Sequence, residues 1–223
     1  MLVEIDKHGM VSHARVRHAR SPQIERGKRV GAITGIVVHQ TDADTLDSSL
    51  NSYRNPKANG AHFLIDKDGT IYQTAAIYQR TNHVGPLKAR CLVMKTCKPD
   101  DFPKKGGAAA MHRIEMQKVP GDRYPGNMEA IGIEMVGRAR LPEGFKPTLQ
   151  QKKRNLTPEE IRGESAIFPT PTAAQNQSLS WLVRVLQDSI QVESSEVFHH
   201  PEVSRKNTTE AQGANWNLPV PTP

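Results

Sequence analysis

The stretch Ile33-Thr-Gly-Ile-Val-Val-His39-Gln-Thr41, taken with Ala61-His-Phe-Leu-Ile-Asp-Lys-Asp-Gly-Thr-Ile-Tyr-Gln73, decides the fold class. The first is a short β-branched apolar run that fits a buried strand ending at His39. The second contains His62-Phe-Leu-Ile65, the turn Asp66-Lys-Asp68-Gly69 and Thr70-Ile-Tyr-Gln73, which together predict a β-hairpin. Further on, Ala130-Ile-Gly-Ile-Glu-Met-Val136 reads as another buried strand. Asp44 to Arg54 places Leu46, Leu50 and Tyr53 at helical spacing, and Pro56 closes that segment. Thr157-Pro158-Glu159-Glu160 starts a helix, with Thr as N-cap and Pro in the first position. The strongest helix runs from about Pro171 to Ile190, where Leu179, Leu182, Val183, Leu186 and Ile190 form one stripe suited to cover a sheet face. Loosely alternating strands and helices with one hairpin imply a single α/β (α+β) domain, a mixed central sheet flanked by helices.

The chain has 223 residues, 36% of them hydrophobic and 24% charged, enough for one full core without metal or disulfide staples. No run approaches the ~18 apolar residues of a membrane helix. Met1-Leu2-Val3-Glu4-Ile5-Asp6-Lys7 carries charges where a signal peptide would be apolar, so the chain is expected to be made in the cytoplasm and to act in the periplasm or on the cell wall after non-Sec delivery. The net charge is +7, yet aromatic residues make up only 5% and do not interleave with basic ones, which argues against single-stranded nucleic-acid binding.

From Pro86 to Asn127 nine basic residues face four acidic ones, which is +5 of that total. The same stretch holds Pro99, Pro103, Pro120, Gly106-Gly107 and both cysteines, and reads as a long basic surface insertion. It is either a solvated loop or a patch that attracts an anionic polymer. Cys91 and Cys97 are too far apart in sequence for a zinc knuckle and have no second pair. A disulfide between them would pin the insertion in an oxidising compartment; in the cytosol both would stay reduced. Residues 1–30, with His8, His13 and His18, read as an N-terminal arm, residues 31–216 as the domain, and residues 217–223 as a C-terminal tail.

Nine histidines are many for this length, and their places matter more than their number. His39 ends one strand, His62 starts another, His83 sits in Asn82-His-Val-Gly85, and His199-His200 precede Pro201. A strand end fixes the backbone while the imidazole reaches the rim, which suits a metal ligand. Zinc hydrolases use three protein ligands and need a general base, and Glu134, inside an apolar strand, is a candidate because an isolated carboxylate there is costly. Each histidine taken singly is more ordinarily structural, and Glu134 could instead form a buried ion pair with Lys206.

Five ordered segments, Ile36-Val-Val-His39-Gln-Thr41, Ala61 to Gln73, His83-Val-Gly85, Ala130-Ile-Gly-Ile-Glu134 and His200-Pro-Glu-Val-Ser-Arg-Lys206, resemble the zinc-dependent N-acetylmuramoyl-L-alanine amidases that share the peptidoglycan-recognition-protein fold. The resemblance spans roughly Gly31 to Trp216, with residues 86–127 as its main departure. It implies hydrolysis of the amide between N-acetylmuramic acid and L-Ala of peptidoglycan. It also implies zinc on His39 and His200, Glu134 as the base and Lys206 as the oxyanion stabiliser. His83 and His62 fall beside the cleft, where His83 suits substrate contact and His62 suits support more than contact. The family supplies Asp or Cys as third ligand; here Glu210, ten residues after His200, takes that place, while alignment on the lysine gives Thr208. Of the adjacent pair, His200 rather than His199 is expected at the metal, since neighbours in an extended segment point opposite ways.

The resemblance implies peptidoglycan or a muropeptide as substrate, with antibacterial, bacteriolytic cell-wall degradation as the role. A wall-recycling enzyme, an endolysin, or an effector with a secretion-machine partner and an immunity protein would each fit. A non-catalytic muropeptide-binding module of the same fold is the alternative.

Overall fold

Gly35–Gln40 is a strand whose residues are all buried, and the rest of the sheet is laid out on either side of it. The computed structural model describes residues 2–29 and 31–220. In chain order the strands are β1 (Glu4–Ile5), β2 (Val11–Ser12), β3 (Val16–His18), β4 (Glu25–Lys28), β5 (Gly35–Gln40), β6 (Phe63–Ile65), β7 (Ile71–Gln73), β8 (Gln79–Thr81), β9 (Ala130–Met135) and β10 (Val197–His199). The α-helices are α1 (Leu46–Tyr53), α2 (Cys91–Met94), α3 (Gly107–Glu115), α4 (Leu149–Lys153), α5 (Pro158–Ser165), α6 (Ala173–Ile190) and α7 (His200–Val203). The main sheet runs β10-β5-β9-β6-β7-β3. Its pairs are parallel except the β6–β7 hairpin, so the sheet is mixed, as the sequence leads one to expect.

Side chains alternate across a strand, so each strand supplies both faces. Ile36 and Val38 of β5 and Ile131, Ile133 and Met135 of β9 face the helix stripe Leu179, Leu182, Val183 and Leu186 of α6 in the main core. Val37 of β5 and Ala130 of β9 face the other way, into a smaller cluster with Val84, Leu87, Tyr124 and Val203. Helix α6 starts where Thr172 accepts from the Gln175 N–H, and the buried Gln175 amide donates to the Ile65 and Val136 carbonyls at the strand ends. Thr45 and Thr157 cap α1 and α5 in the same way. The β6–β7 turn needs a glycine: Gly69 has φ +87°, and a Cβ there would lie 2.8 Å from the Ala174 carbonyl oxygen.

Two peripheral readings change. Residues 1–30 are not an arm: β3 forms the sheet edge parallel to β7, β4 pairs with β8, and Val11 and Ile24 are fully buried. β3 and β4 have three and four residues and partners more than fifty positions along the chain, so no local periodicity marks them. His8, His13 and His18 are nonetheless exposed. Residues 86–127 are not loop throughout, since they contain α2 and α3, and Leu87 bridges to Ser204. The Ala108-Ala-Ala110 run continues as helix from Gly107, which had the look of a breaker. A disulfide joins Cys91 and Cys97, whose Cα atoms are 4.8 Å apart. At the other end Gln177 donates to the Pro219 carbonyl, and positions 221–223 of the expected tail lie outside the described residues, as do Met1 and Val30. Among the described residues no helix is long and apolar enough to cross a membrane.

Arg29 ties this arrangement together. It is 8% exposed and donates to the carbonyls of Ile77, Met128 and Ala130 at 2.7, 2.7 and 2.6 Å. Burial pushes its pKa down to about 10, so it remains a cation at neutral pH. Removing a buried cation that satisfies several carbonyls costs about 3 kcal/mol or more. Arg29→Met should lower the unfolding free energy by about that much in urea titrations, where a loss below about 1 kcal/mol would contradict the role given to this residue.

Candidate active site

The in-register pairing of β5 with β9 sets His39 directly opposite Glu134 on the same face. From β10 the chain passes into α7 at His200, whose side chain turns to that face. His199, paired with Val38, lies on the other face with its ring 4.6 Å from that of Trp216. Six of the residues singled out from the sequence, His39, His83, Glu134, His200, Lys206 and Glu210, line one cavity of about 460 Å³. His62 does not. It has no exposed surface, its Nδ1 accepts from the Gly132 N–H at 3.0 Å, and its Nε2 faces the Gln79 carbonyl and the Arg29 guanidinium. It therefore supports the floor of the site and cannot meet a substrate. Burial and the Arg29 charge keep its pKa well below the usual histidine range.

His39, His200 and Glu210 are all buried, and one ligating atom from each can be chosen so that all lie within 4.8 Å of one another. Glu210 Oε1 is 2.8 Å from His200 Nδ1 and 3.5 Å from His39 Nδ1. Burial lowers the His39 pKa to about 4, with the nearby His200 adding to the effect, so this imidazole is neutral. Burial alone would raise Glu210, but its bonds to His200 and His39 outweigh that and hold it a carboxylate. A neutral imidazole and an ionised carboxylate are the forms a divalent cation requires, and this donor set, two nitrogens and an oxygen, fits zinc. Thr208 is exposed and lines a neighbouring groove, away from the cavity.

Several residues that the sequence did not mark hold these groups in place. Gln40 Oε1 accepts from the Ala211 N–H at 2.9 Å, next to Glu210 in the chain. Ala211 itself has φ +55°, an uncommon left-handed conformation that turns the chain just after the carboxylate. Tyr53, legible only as an apolar position of α1, donates its hydroxyl to Glu134 Oε2 at 2.7 Å and accepts from the Ala61 N–H. Asn127 accepts from the N–H groups of both His83 and Val84. The His83 ring then rests on Gly132, where a Cβ would come within 2.8 Å of it. His83 Nδ1 is 3.0 Å from His39 Nε2. Lys206 is exposed at the rim, and among the described residues no ion pair joins it to Glu134.

The family model for N-acetylmuramoyl-L-alanine amidases matches residues 29–213. The chain belongs to this amidase family. Solved structures with a similar chain course include the catalytic domain of XlyA, at 16% identity over 86% of this chain and 87% of that one, TM-score 0.47. The N-acetylmuramoyl-L-alanine amidase LysC from Clostridium intestinale matches at 16% identity over 87% and 89%, TM-score 0.41. An AmpD derivative matches at 15% identity over 97% and 96%, TM-score 0.48. No curated protein sequence matches the chain.

In this member of the amidase family burial pushes the Glu134 carboxyl up to about 7 from its ordinary 4.5, although the Tyr53 hydroxyl bond works in the opposite direction. Between those values the folded state holds a proton that the unfolded chain has lost, so this group makes folding less favourable as pH rises through the window. In chelator-treated protein, Glu134→Gln removes that contribution. Its stability relative to the parent should therefore be greater at about pH 8 than at about pH 5 in urea titrations, and an equal gap at both would refute the assignment.

Proposed function

We propose that the protein is a zinc-dependent amidase that hydrolyses the bond between N-acetylmuramic acid and L-Ala of peptidoglycan. The observation that carries this reading is the convergence of a buried His39–His200–Glu210 cluster with Glu134 in one cleft, in a chain of this family. His39, His200 and Glu210 would hold the zinc. When bound, zinc supplies Lewis acidity, which makes water a nucleophile near neutral pH.

The chain's own groups do the rest. Glu134, with its pKa near 7 and one oxygen already engaged by Tyr53, takes the proton from the attacking water and returns it to the departing amine of L-Ala. Lys206 at the rim places an ammonium beside the oxygen of the scissile carbonyl as negative charge develops there. His83, fixed by Asn127 and Gly132 beside His39, orients the substrate. The carboxylates of muropeptides also suit a chain of net charge +7.

Zinc-loaded protein incubated with purified peptidoglycan should release free L-Ala amino termini, and a chelator should stop the release. Glu134→Gln should lower kcat about a thousandfold with zinc content unchanged, and Lys206→Met about a hundredfold. Glu210→Ala should weaken zinc affinity by at least about tenfold in competition with a chromogenic chelator. Zinc-loaded protein that binds muropeptide yet releases no L-Ala would leave the binding-module reading standing instead.

A further inference from the structure

The Cys91–Cys97 disulfide closes a small finger whose root, Cys91, is 4% exposed. At its tip Leu92, Val93 and Met94 are 61, 75 and 46% exposed, three consecutive aliphatic side chains in water. Their ring closure holds them outward, since Lys95 at the end of α2 takes a left-handed φ of 56° and the chain returns directly to Cys97. Behind this tip is a groove of about 710 Å³ that Leu92 and Val93 share with Met111, Tyr124 and Phe198 at one end and with Glu202, Arg205 and Glu210 among its charged lining. Phe102, a few residues on, is also exposed.

The exposed charge around this apolar tip is predominantly basic. Lys95, Lys98, Lys104 and Lys105 are exposed, and among the described residues none of them is held in an ion pair. Of the two acidic residues in 91–105, Asp101 lies 2.7 Å from Lys118, which it shares with the buried Glu115, and Asp100 is exposed, so four lysines face two carboxylates in this stretch. A polymer of sugars and peptides is bound through aromatic platforms and hydrogen-bonding groups, and a nucleic acid would gain nothing from an aliphatic tip. Aliphatic side chains flanked by unpaired lysines match a surface that offers acyl chains beneath phosphate groups.

We propose that the disulfide-closed finger, residues 91–97, with the basic stretch that follows it to residue 105, is a docking surface for an anionic phospholipid bilayer. It inserts Leu92, Val93 and Met94 at the acyl boundary and sets Lys95 and Lys98 against the lipid phosphates. This is independent of the catalytic reading, because none of these side chains lines the cleft.

The test is co-sedimentation of the oxidised full chain with vesicles of equal parts phosphatidylglycerol and phosphatidylcholine, and with phosphatidylcholine alone. Binding should be at least about tenfold stronger to the anionic vesicles and should weaken with added salt. The double variants L92D/V93D and K95E/K98E should each lose at least about tenfold while circular dichroism and melting stay those of the parent, because all four residues are exposed. Equal or absent binding to the two vesicle types, or parental vesicle binding by L92D/V93D, would overturn the proposal. So would loss of binding to lipid-free wall sacculi by L92D/V93D with vesicle binding intact, which would make the wall polymer the occupant.

Discussion

Parallel pairing of β5 with β9, in a register that opposes His39 to Glu134, is the constraint on which the rest of the molecule depends. Because side chains alternate with a period of two, a slip of one residue in either strand would send one of these groups into the core and bring an isoleucine or a valine to the cleft. The register is locked from the other face, where Ile36, Val38, Ile131, Ile133 and Met135 can be buried against α6 only in this alignment. The apolar energy that forms the sheet therefore also positions its polar face, and no separate device is needed to bring His39 beside Glu134.

The polar face has been made rigid by groups that take no part in chemistry. Gln40 fixes the backbone after Glu210, Asn127 fixes the backbone of His83, and Arg29 with His62 fills the space under Gly132. Each is a buried polar group with its partners supplied, which costs little once paired and would cost much if left alone. The result is a cleft floor with few alternative arrangements, which keeps His39, His200 and Glu210 close together.

How much of this was legible follows from what a sequence records. The strands β5, β6, β7 and β9 and the helices α1, α5 and α6 were legible because their apolar spacing and their Thr caps are local signals. His39, Glu134 and His200 stood out as polar residues at the ends of, or within, apolar runs, and their assignment to one site rested on the ordered resemblance. What was hidden depends on contacts remote in sequence. Arg29 reaches residues 77, 128 and 130, and β3 pairs with β7 over more than fifty positions. Tyr53 was hidden for another reason, since its ring packs as core while its hydroxyl does polar work, and spacing reports only the ring. His62 and His39 look alike in sequence, each at one end of an apolar run, but depth within a sheet has no periodicity to betray it.

The order of the strands in space has a kinetic meaning. β10, near residue 198, lies against β5, near residue 38, and the groups of the cleft come from positions 39, 83, 134, 200, 206 and 210. Loops this long must close before the contacts that reward them can form, so a parallel sheet of this kind assembles slowly and late. No short segment of the chain holds more than a part of the cleft. The cleft is therefore assembled only in the same event that completes the core.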